Sequence, residues 1–326
     1  MNTTNEKPFY LIDTVVTHSG PFHADDLVAI ALMQEAASGG LSVVRSRDRE
    51  ALALAKRDTN TALVDVGGEY DPDQGLLDHH FVGSPLRPWN NKPYASAGMV
   101  YEYLHYPKDH WMSEVVEKID QIDNGIKVKG WTLSLTLHKC NPTSGSNFDE
   151  RFEQLTAIIG NAIVNSMDAD EFVEYVEKHD QIVEWVSEHE QSVLASERRV
   201  RQAIKEAESL LVLGQFEPSL INVVHEAKPE TLFTIFPSPT DGFMVQQIPV
   251  EAQSFDGRLP LPEIWAGKRD EELSELTGVP GCIFVHPGRF IGGNKTLEGA
   301  IEMAKRAIEL ADRQNQLLSI FAKEGY

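Results

Sequence analysis

The run His18-Ser19-Gly20-Pro21-Phe22-His23-Ala24-Asp25 packs two imidazoles and a carboxylate into one turn between an apolar strand and a helix. Asp65 at the end of "ALVDVGG", the triplet Asp78-His79-His80, and Asp123 in "DQIDNG" extend the set downstream. Mixed nitrogen and oxygen donors of this kind suit Mn2+, Fe2+, Co2+ or Zn2+, and the imidazoles make Mg2+ a less favoured occupant. The chemistry that uses a pair of such ions is phosphoester hydrolysis. A phosphodiester repels an anionic nucleophile; two divalent ions about 3.5–4 Å apart offset that repulsion and lower the pKa of a water between them. One carboxylate must then reach both ions, with imidazoles and further carboxylates completing each shell.

The elements that would position these residues alternate. "FYLIDTVVTH" is rich in β-branched and aromatic residues and predicts a buried strand ending at His18. "DDLVAIALMQEAA" has helical spacing and stops at Gly39-Gly40. "LSVVRS" predicts a strand, "DREALALAKR" a helix and "ALVDVGG" another buried strand. Strand and helix alternating over about 50 residues imply a parallel sheet with right-handed crossovers. Ligands of such open sheets bind beyond the carboxyl ends of the strands, where His18, His23, Asp25 and Asp65 all fall. "ASAGMVYEYLHY" and "HWMSEVVEKIDQID" predict helices, the second delivering Asp123 at its end.

Residues 149–208 predict a charged helical stretch, read as a connector because both signs are mixed along it. From about residue 218, "SLINVVH", "TLFTIFP", "GFMVQQIPV" and "CIFVH" predict short strands. A Gly-Gly turn and the helix "TLEGAIEMAKRAIELA" follow. The expected fold class is α/β: a parallel-sheet catalytic domain over 1–145, a helical connector over 146–215 and a smaller α/β substrate-binding domain over 216–326. The single tryptophans, Trp89, Trp111, Trp131, Trp185 and Trp265, read as packing residues.

The chain of 326 residues carries a formal charge of −21, with 29 Lys and Arg against 50 Asp and Glu. That balance argues against wrapping duplex DNA, an interaction driven by cations that neutralise phosphates. A short or terminal substrate, held by metals and a few local cations, fits better, and part of the negative charge belongs to the metal site itself. No apolar run approaches the roughly 20 residues that cross a bilayer. The amino terminus lacks the basic and apolar segments of a signal peptide. Cys140 and Cys282 stand far apart without a paired spacing, so a cytoplasmic setting is expected.

Each residue of the set also has an ordinary structural use. Asp25 can cap the helix it begins, Asp78 can close a turn, and a lone His is commonly a hydrogen-bonded structural residue. Against this stands their joint placement: seven side chains sharing one edge of one sheet.

The motifs "THSGPFHADDLVAIALM", "LVDVGGEYDPDQGLLDHH", "ASAGMVYEYL" and "IDQIDNGI" resemble successive motifs of the DHH phosphoesterase superfamily, and most closely its Myg-type (melanocyte-proliferating-gene-one) family. The stretch from "VQQIPVEAQSFDGRLPLPEIWAGKRDEEL" to "IGGNKTLEGAIEMAKRAI" is similar to that family almost throughout. The chain has Thr143 after Asn141-Pro142, where the family has Trp. The resemblance implies one metal held by His18, His23 and Asp65, and a second by Asp25, Asp65, His79 and Asp123, with Asp65 bridging. It implies that His80 faces the scissile phosphate and that Asp78 orients its neighbours. His23 stands where most of the superfamily has Asp, a substitution shared with the Myg-type family.

Near the carboxyl terminus, Arg289-Phe290-Ile291-Gly292-Gly293-Asn294-Lys295-Thr296 precedes a helix. Glycines admit close approach of a ligand, and a helix start favours anions; the same run also reads as a turn plus N-cap. His286, Arg289, Lys295, Arg258 and Arg269 are candidate cationic contacts, and the run resembles the Gly-Gly loop of substrate-binding domains that accompany DHH domains. The expected activity is a two-metal phosphodiesterase, with two divalent ions, Mn2+ foremost. The resemblance implies 3′–5′ exonuclease action on RNA or short oligonucleotides, with no membrane partner and a homo-oligomer compatible. Two other readings remain: a hydrolase of pyrophosphate or of a cyclic or bis-phosphorylated nucleotide, and a non-catalytic, metal-stabilised RNA-binding protein.

Overall fold

A computed structural model describes residues 9–324 other than 38–39, 82, 84, 89, 144–146, 206, 218–219, 228–229, 239–241 and 252–255. The chain divides into two compact units, Met1–Glu190 and Gln191–Tyr326.

In the first unit the strands are β1 (Thr14–Thr17), β2 (Ser42–Arg45), β3 (Thr61–Val64), β4 (Tyr70–Asp71) and β5 (Leu76–Leu77). The helices are α1 (Ala24–Ala36), α2 (Arg49–Ala55), α3 (Ser96–Tyr103), α4 (Met112–Asp123), α5 (Leu133–Lys139), α6 (Phe148–Asn165) and α7 (Ala169–Glu177). The long α8 (Asp180–Ile204) begins here and runs on into the second unit. The sheet order is β2-β1-β3-β5-β4, parallel except for the β4–β5 pair. The strand expected to begin at Phe9 begins at Thr14. Phe9–Leu11 forms a 3-10 turn, and the backbone of Asp13 bonds to Asn60 across the chain.

Side chains alternate between the two sheet faces. Val15, Ala62, Val64 and Leu77 join the main core with α1, while Val16, Leu63 and Leu76 pack with Leu52 and Ala55 of α2. Coverage on both faces explains why the strands read as unbroken apolar runs. Helix α1 is buried from Ala24 to Met33 on every side, as a helix through the centre of a domain must be.

The loop between β1 and α1 is tied down by polar groups from three places. Arg45 donates to Gly20 O at 2.7 Å and Arg47 to Ser19 O at 2.9 Å. Asn141 accepts from Phe22 N at 2.9 Å and donates to Phe22 O at 2.8 Å. Behind α3, the buried Arg87 pairs with the buried Asp120, which also accepts from Gly98 N at 3.0 Å.

The second unit has β6 (Leu210–Val212), α9 (Leu220–Ala227), β7 (Phe233–Pro237), β8 (Phe243–Gln247), α10 (Asp270–Thr277), β9 (Cys282–Val285), β10 (Ile291–Asn294) and α11 (Leu297–Glu324). Its sheet order is β6-β7-β8-β10-β9, with only the β6–β7 pair parallel. Phe233, Ile235 and Val245 pack on Ala300, Met303 and Ala304 of α11, while Phe236 packs on Leu220, Val223 and Val224 of α9. The α/β class is as expected from the sequence.

Two local expectations are corrected. Where "SLINVVH" predicts a strand, Leu220–Ala227 forms α9, because Leu220, Val223 and Val224 recur at helical spacing and bury one face. Gly292 and Gly293 lie within β10 and do not form a turn. A Cβ on Gly292 would meet Phe284 O at 2.9 Å, so the neighbouring strand leaves no room for a side chain.

A Cβ on Gly98 would fall 1.9 Å from Asp120 Oδ2 and 2.8 Å from an Arg87 nitrogen. Gly98→Ala should therefore cost about 1–3 kcal/mol in urea unfolding. Gly160→Ala, with nothing within 4 Å, should be neutral or slightly stabilising. Equal effects of the two substitutions would contradict this packing.

Candidate metal centre

His18, Asp65 and Asp78 each directly follow a strand, namely β1, β3 and β5. Because those strands run parallel, all three residues arrive at one edge of the sheet. Asp65 adopts a φ of 58°, a left-handed conformation that Asp tolerates better than most residues. Gly67 and Gly68 continue the turn at φ values of 108° and 72°. His79 and His80 continue from Asp78, and the amino ends of α1 and α3 and the last residue of α4 supply the rest.

Asp25 reaches from α1 to the start of α3, where its oxygens accept from Ser96 N at 2.9 Å and Ala97 N at 2.6 Å. It is a cap, as its ordinary reading foresaw, but of a different helix. Asp26 holds the start of α1 through Oδ1, accepting from His23 N at 2.8 Å and Leu27 N at 2.9 Å. Its Oδ2 lies 3.1 Å from His18 Nε2, which is 3.3 Å from Asp65 Oδ2. On the other side of Asp65, His79 Nε2 stands 3.5 Å from Oδ1, 3.0 Å from Asp123 Oδ2 and 3.8 Å from Asp25 Oδ2. Ser96 Oγ donates to Asp65 Oδ1 at 3.1 Å.

Three groups of donor atoms result, each gathered within 4.8 Å: His18 with Asp26 and Asp65, Asp25 with His79 and Asp123, and Asp65 with His79 and His80. Asp65 thus offers one oxygen to each side. Asp26 Oδ2 and His79 Nε2 are buried and make no well-aligned hydrogen bond. Buried polar atoms whose hydrogen bonding is incomplete are costly, and a cation between the groups would complete it. The donor set therefore fits divalent metal.

The electrostatics are those of a crowded acidic site. Burial, then the charges of Asp65 and Asp123, pushes the Asp25 carboxyl well up, and burial pushes Asp26 up as well. Burial opposes charge on His18, but Asp26 and Asp65 outweigh it and raise its pKa to about 9. Burial likewise opposes charge on His79, and Asp123 and Asp65 raise it to about 11. Asp65 is held well below the carboxylate range: burial alone would raise it, and the two imidazoles prevail. The hydrogen bond to Asp78 raises His80, whose side chain is 60% exposed. Asp78 accepts from His80 Nδ1 at 2.7 Å and also holds Gly68 N, so it orients the turn.

Of the residues singled out in the sequence, the fold brings together His18, Asp25, Asp65, His79, His80 and Asp123, with Asp78 behind His80. His23 stays outside the three groups: it is exposed, with its ring 5.9 Å from that of His18. Asp26 takes the position beside His18 instead. The sequence carries a signal for it, a second acid directly after Asp25, but that signal is also what any acidic helix start shows.

The second-unit candidates are spread over structural duties. Asn294 is fully buried, donating to Pro280 O and accepting from Thr296 N, each at 3.0 Å. Thr296 Oγ1 accepts from Gly299 N at the start of α11. Arg258 donates to Thr231 O and His225 O, and Arg269 lies over the Phe284 ring. Lys295 and His286 are exposed, and Arg289 has a φ of 62°. Trp265 and Trp185 are core residues and Trp111 packs against the core; Trp89 lies outside the described residues.

An α/β protein with a parallel sheet and a His/Asp centre at its carboxyl edge is the class defined so far. The chain belongs to the family described as "MYG1_exonuc: Uncharacterised protein family (UPF0160)", whose model matches residues 14–113 and 104–308. A rat relative named "MYG1 exonuclease" is 31% identical, the match covering 90% of this chain and 84% of that protein. A relative from Schizosaccharomyces pombe, "MYG1 protein C694.04c", is 33% identical over 90% of this chain and 97% of its own length. Among solved structures, a pGpG-specific phosphodiesterase from Vibrio is 15% identical, covering 92% of this chain and 99% of that one, with a TM-score of 0.48.

The raised histidines give a pH dependence with a definite sign. Their charge stabilises the metal-free fold fully below about pH 6.5 and is lost as pH rises through about 9 for His18 and about 11 for His79. EDTA-treated protein should therefore melt at progressively lower temperature from pH 7 upward, and added Mn2+ should abolish that decline by replacing the protons. Identical profiles with and without Mn2+ would contradict the assignment.

Proposed function

We propose that this chain is a metal-dependent phosphodiesterase that removes nucleotides from an end of RNA or short oligonucleotides, with 3′–5′ polarity. The observation that carries the reading is the two-sided Asp65, with His18 and Asp26 against one oxygen and His79 against the other. In this reading His18, Asp26 and Asp65 hold one divalent ion. Asp25, His79 and Asp123 hold the other, with Asp65 shared. Mn2+ is the foremost occupant because the shell mixes imidazole and carboxylate. The relatives named as exonucleases support a nucleic-acid end as substrate.

Bound divalent ions would neutralise phosphate oxygens and lower the pKa of an attacking water. The protein's own groups do the rest. Asp25 is fixed by two backbone amides and Asp26 by the start of α1, so the ligands are preorganised. His80, held by Asp78 and facing solvent, keeps its proton to higher pH than a free imidazole and can donate it to a phosphate or leaving oxygen. The exposed Lys295 and His286 of the second unit are assigned to substrate contact, together with Arg289. The two free, buried cysteines agree with a reducing compartment such as the cytoplasm.

Purified protein incubated with short labelled RNA and Mn2+ should shorten it stepwise. Asp65→Ala should lower the rate by on the order of a thousandfold or more. Faster turnover of pyrophosphate or of a cyclic or bis-phosphorylated nucleotide than of RNA would favour a small-substrate hydrolase. Metal binding without hydrolysis of any of them would favour a non-catalytic role.

A further inference from the structure

One cavity of the first unit, about 490 Å³ in volume, opens on the metal centre. Asp25, His80 and Asp123 of the centre line it, so it adjoins the position of the reacting phosphate. Away from the centre the walls turn apolar, with Ile119 and Ile122 from α4 and Leu135 from α5. Trp131 adds an aromatic ring whose orientation is fixed: its indole N–H donates to Ser134 Oγ at 3.1 Å, and the Lys118 ammonium lies 4.8 Å from the ring centre.

Among the described residues the lining contains no Lys or Arg; its ionisable groups are the carboxylates Asp25 and Asp123 and the imidazoles of His23, His80 and His138. Beyond His80, a second phosphate group, such as the other half of pyrophosphate, would meet the apolar wall of Ile119, Ile122 and Leu135, with no Lys or Arg among the described lining residues to hold it. An uncharged ring system fits the same space. The volume lies in the range of about 300–1,000 Å³ typical of small-molecule sites, and a base on an indole is a sequence-tolerant contact. His138 at the rim supplies a polar edge; burial and the nearby His23 and His189 lower its pKa, so it offers a neutral donor and acceptor.

We propose that this cavity is the subsite for the terminal nucleoside of the substrate, with the base against Trp131 and the phosphate at the His80 end. The inference rests on the phosphodiesterase reading above and narrows it to nucleotide esters, away from pyrophosphate.

The test is binding to the Mn2+-loaded protein by calorimetry, comparing adenosine 5′-monophosphate with inorganic phosphate. The wild type should bind the nucleotide roughly tenfold or more tightly than phosphate. Trp131→Ala should remove that preference while leaving phosphate affinity unchanged. Leu135→Glu, at a position 59% exposed and so tolerant of charge, should do the same without disturbing the core. Equal binding of the two ligands by wild type, or a preference that survives both substitutions, would overturn the subsite. Loss of RNA hydrolysis in the wild type with the nucleotide preference intact would instead overturn the phosphodiesterase reading alone.

Discussion

Asp25, Asp26 and Asp65 are 1%, 0% and 4% exposed and fall in adjoining donor groups, a concentration of buried carboxylates that needs partners. Each buried carboxylate costs several kcal/mol in lost hydration unless other groups replace the water. The fold answers with directed donors. Asp25 takes two amides of α3, Asp26 takes the start of α1, and Asp65 takes Ser96 Oγ and the flanking imidazoles. After these are counted, Asp26 Oδ2 and His79 Nε2 have only ion-pair contacts, the shortest to His18 and Asp123, and no well-aligned hydrogen bond. A divalent cation is the simplest group that satisfies a carboxylate and an imidazole together.

The rest of the first unit serves that convergence. Parallel strands fix where His18, Asp65 and Asp78 emerge, and burial of α1 on all sides fixes where its acidic start points. The amino end of α3 is gripped from two directions, by Asp25 at the centre and by the Arg87–Asp120 pair behind it. Burial pushes Asp120 up to about 7 even against Arg87, so that pair is itself a costly feature retained in the interior. The loop bearing His18 and His23 is likewise tied by Arg45, Arg47 and Asn141. Positional precision of this kind is what two-ion chemistry requires of its ligands.

Much of this was legible in the sequence because the strands are buried on both faces and the helices between them are short. "TVVT" and "TALV" could scarcely be anything else, and each ends one residue before a metal-type ligand. Periodicity misled where it was short: "SLINVVH" is β-branched enough for a strand, yet its burial follows helical spacing. Gly292-Gly293 looked like a turn because the close approach of Phe284 that demands glycine is a tertiary fact. Asp26 was hidden for a related reason. An acid in the first turn of a helix is ordinary, and only the direction of its second oxygen toward His18 distinguishes it. His23 carries the family's motif but stands outside the donor groups: it is the N-cap of α1, its backbone amide donating to Asp26.

Whether Asp65 lies between two cations decides the matter. Crystals grown with Mn2+ and measured at the manganese absorption edge should show two anomalous peaks about 3.5–4 Å apart. One should sit against His18, Asp26 and Asp65, the other against Asp25, Asp65, His79 and Asp123. A single peak remote from Asp65, or none at full Mn2+ loading, would contradict the shared-carboxylate centre.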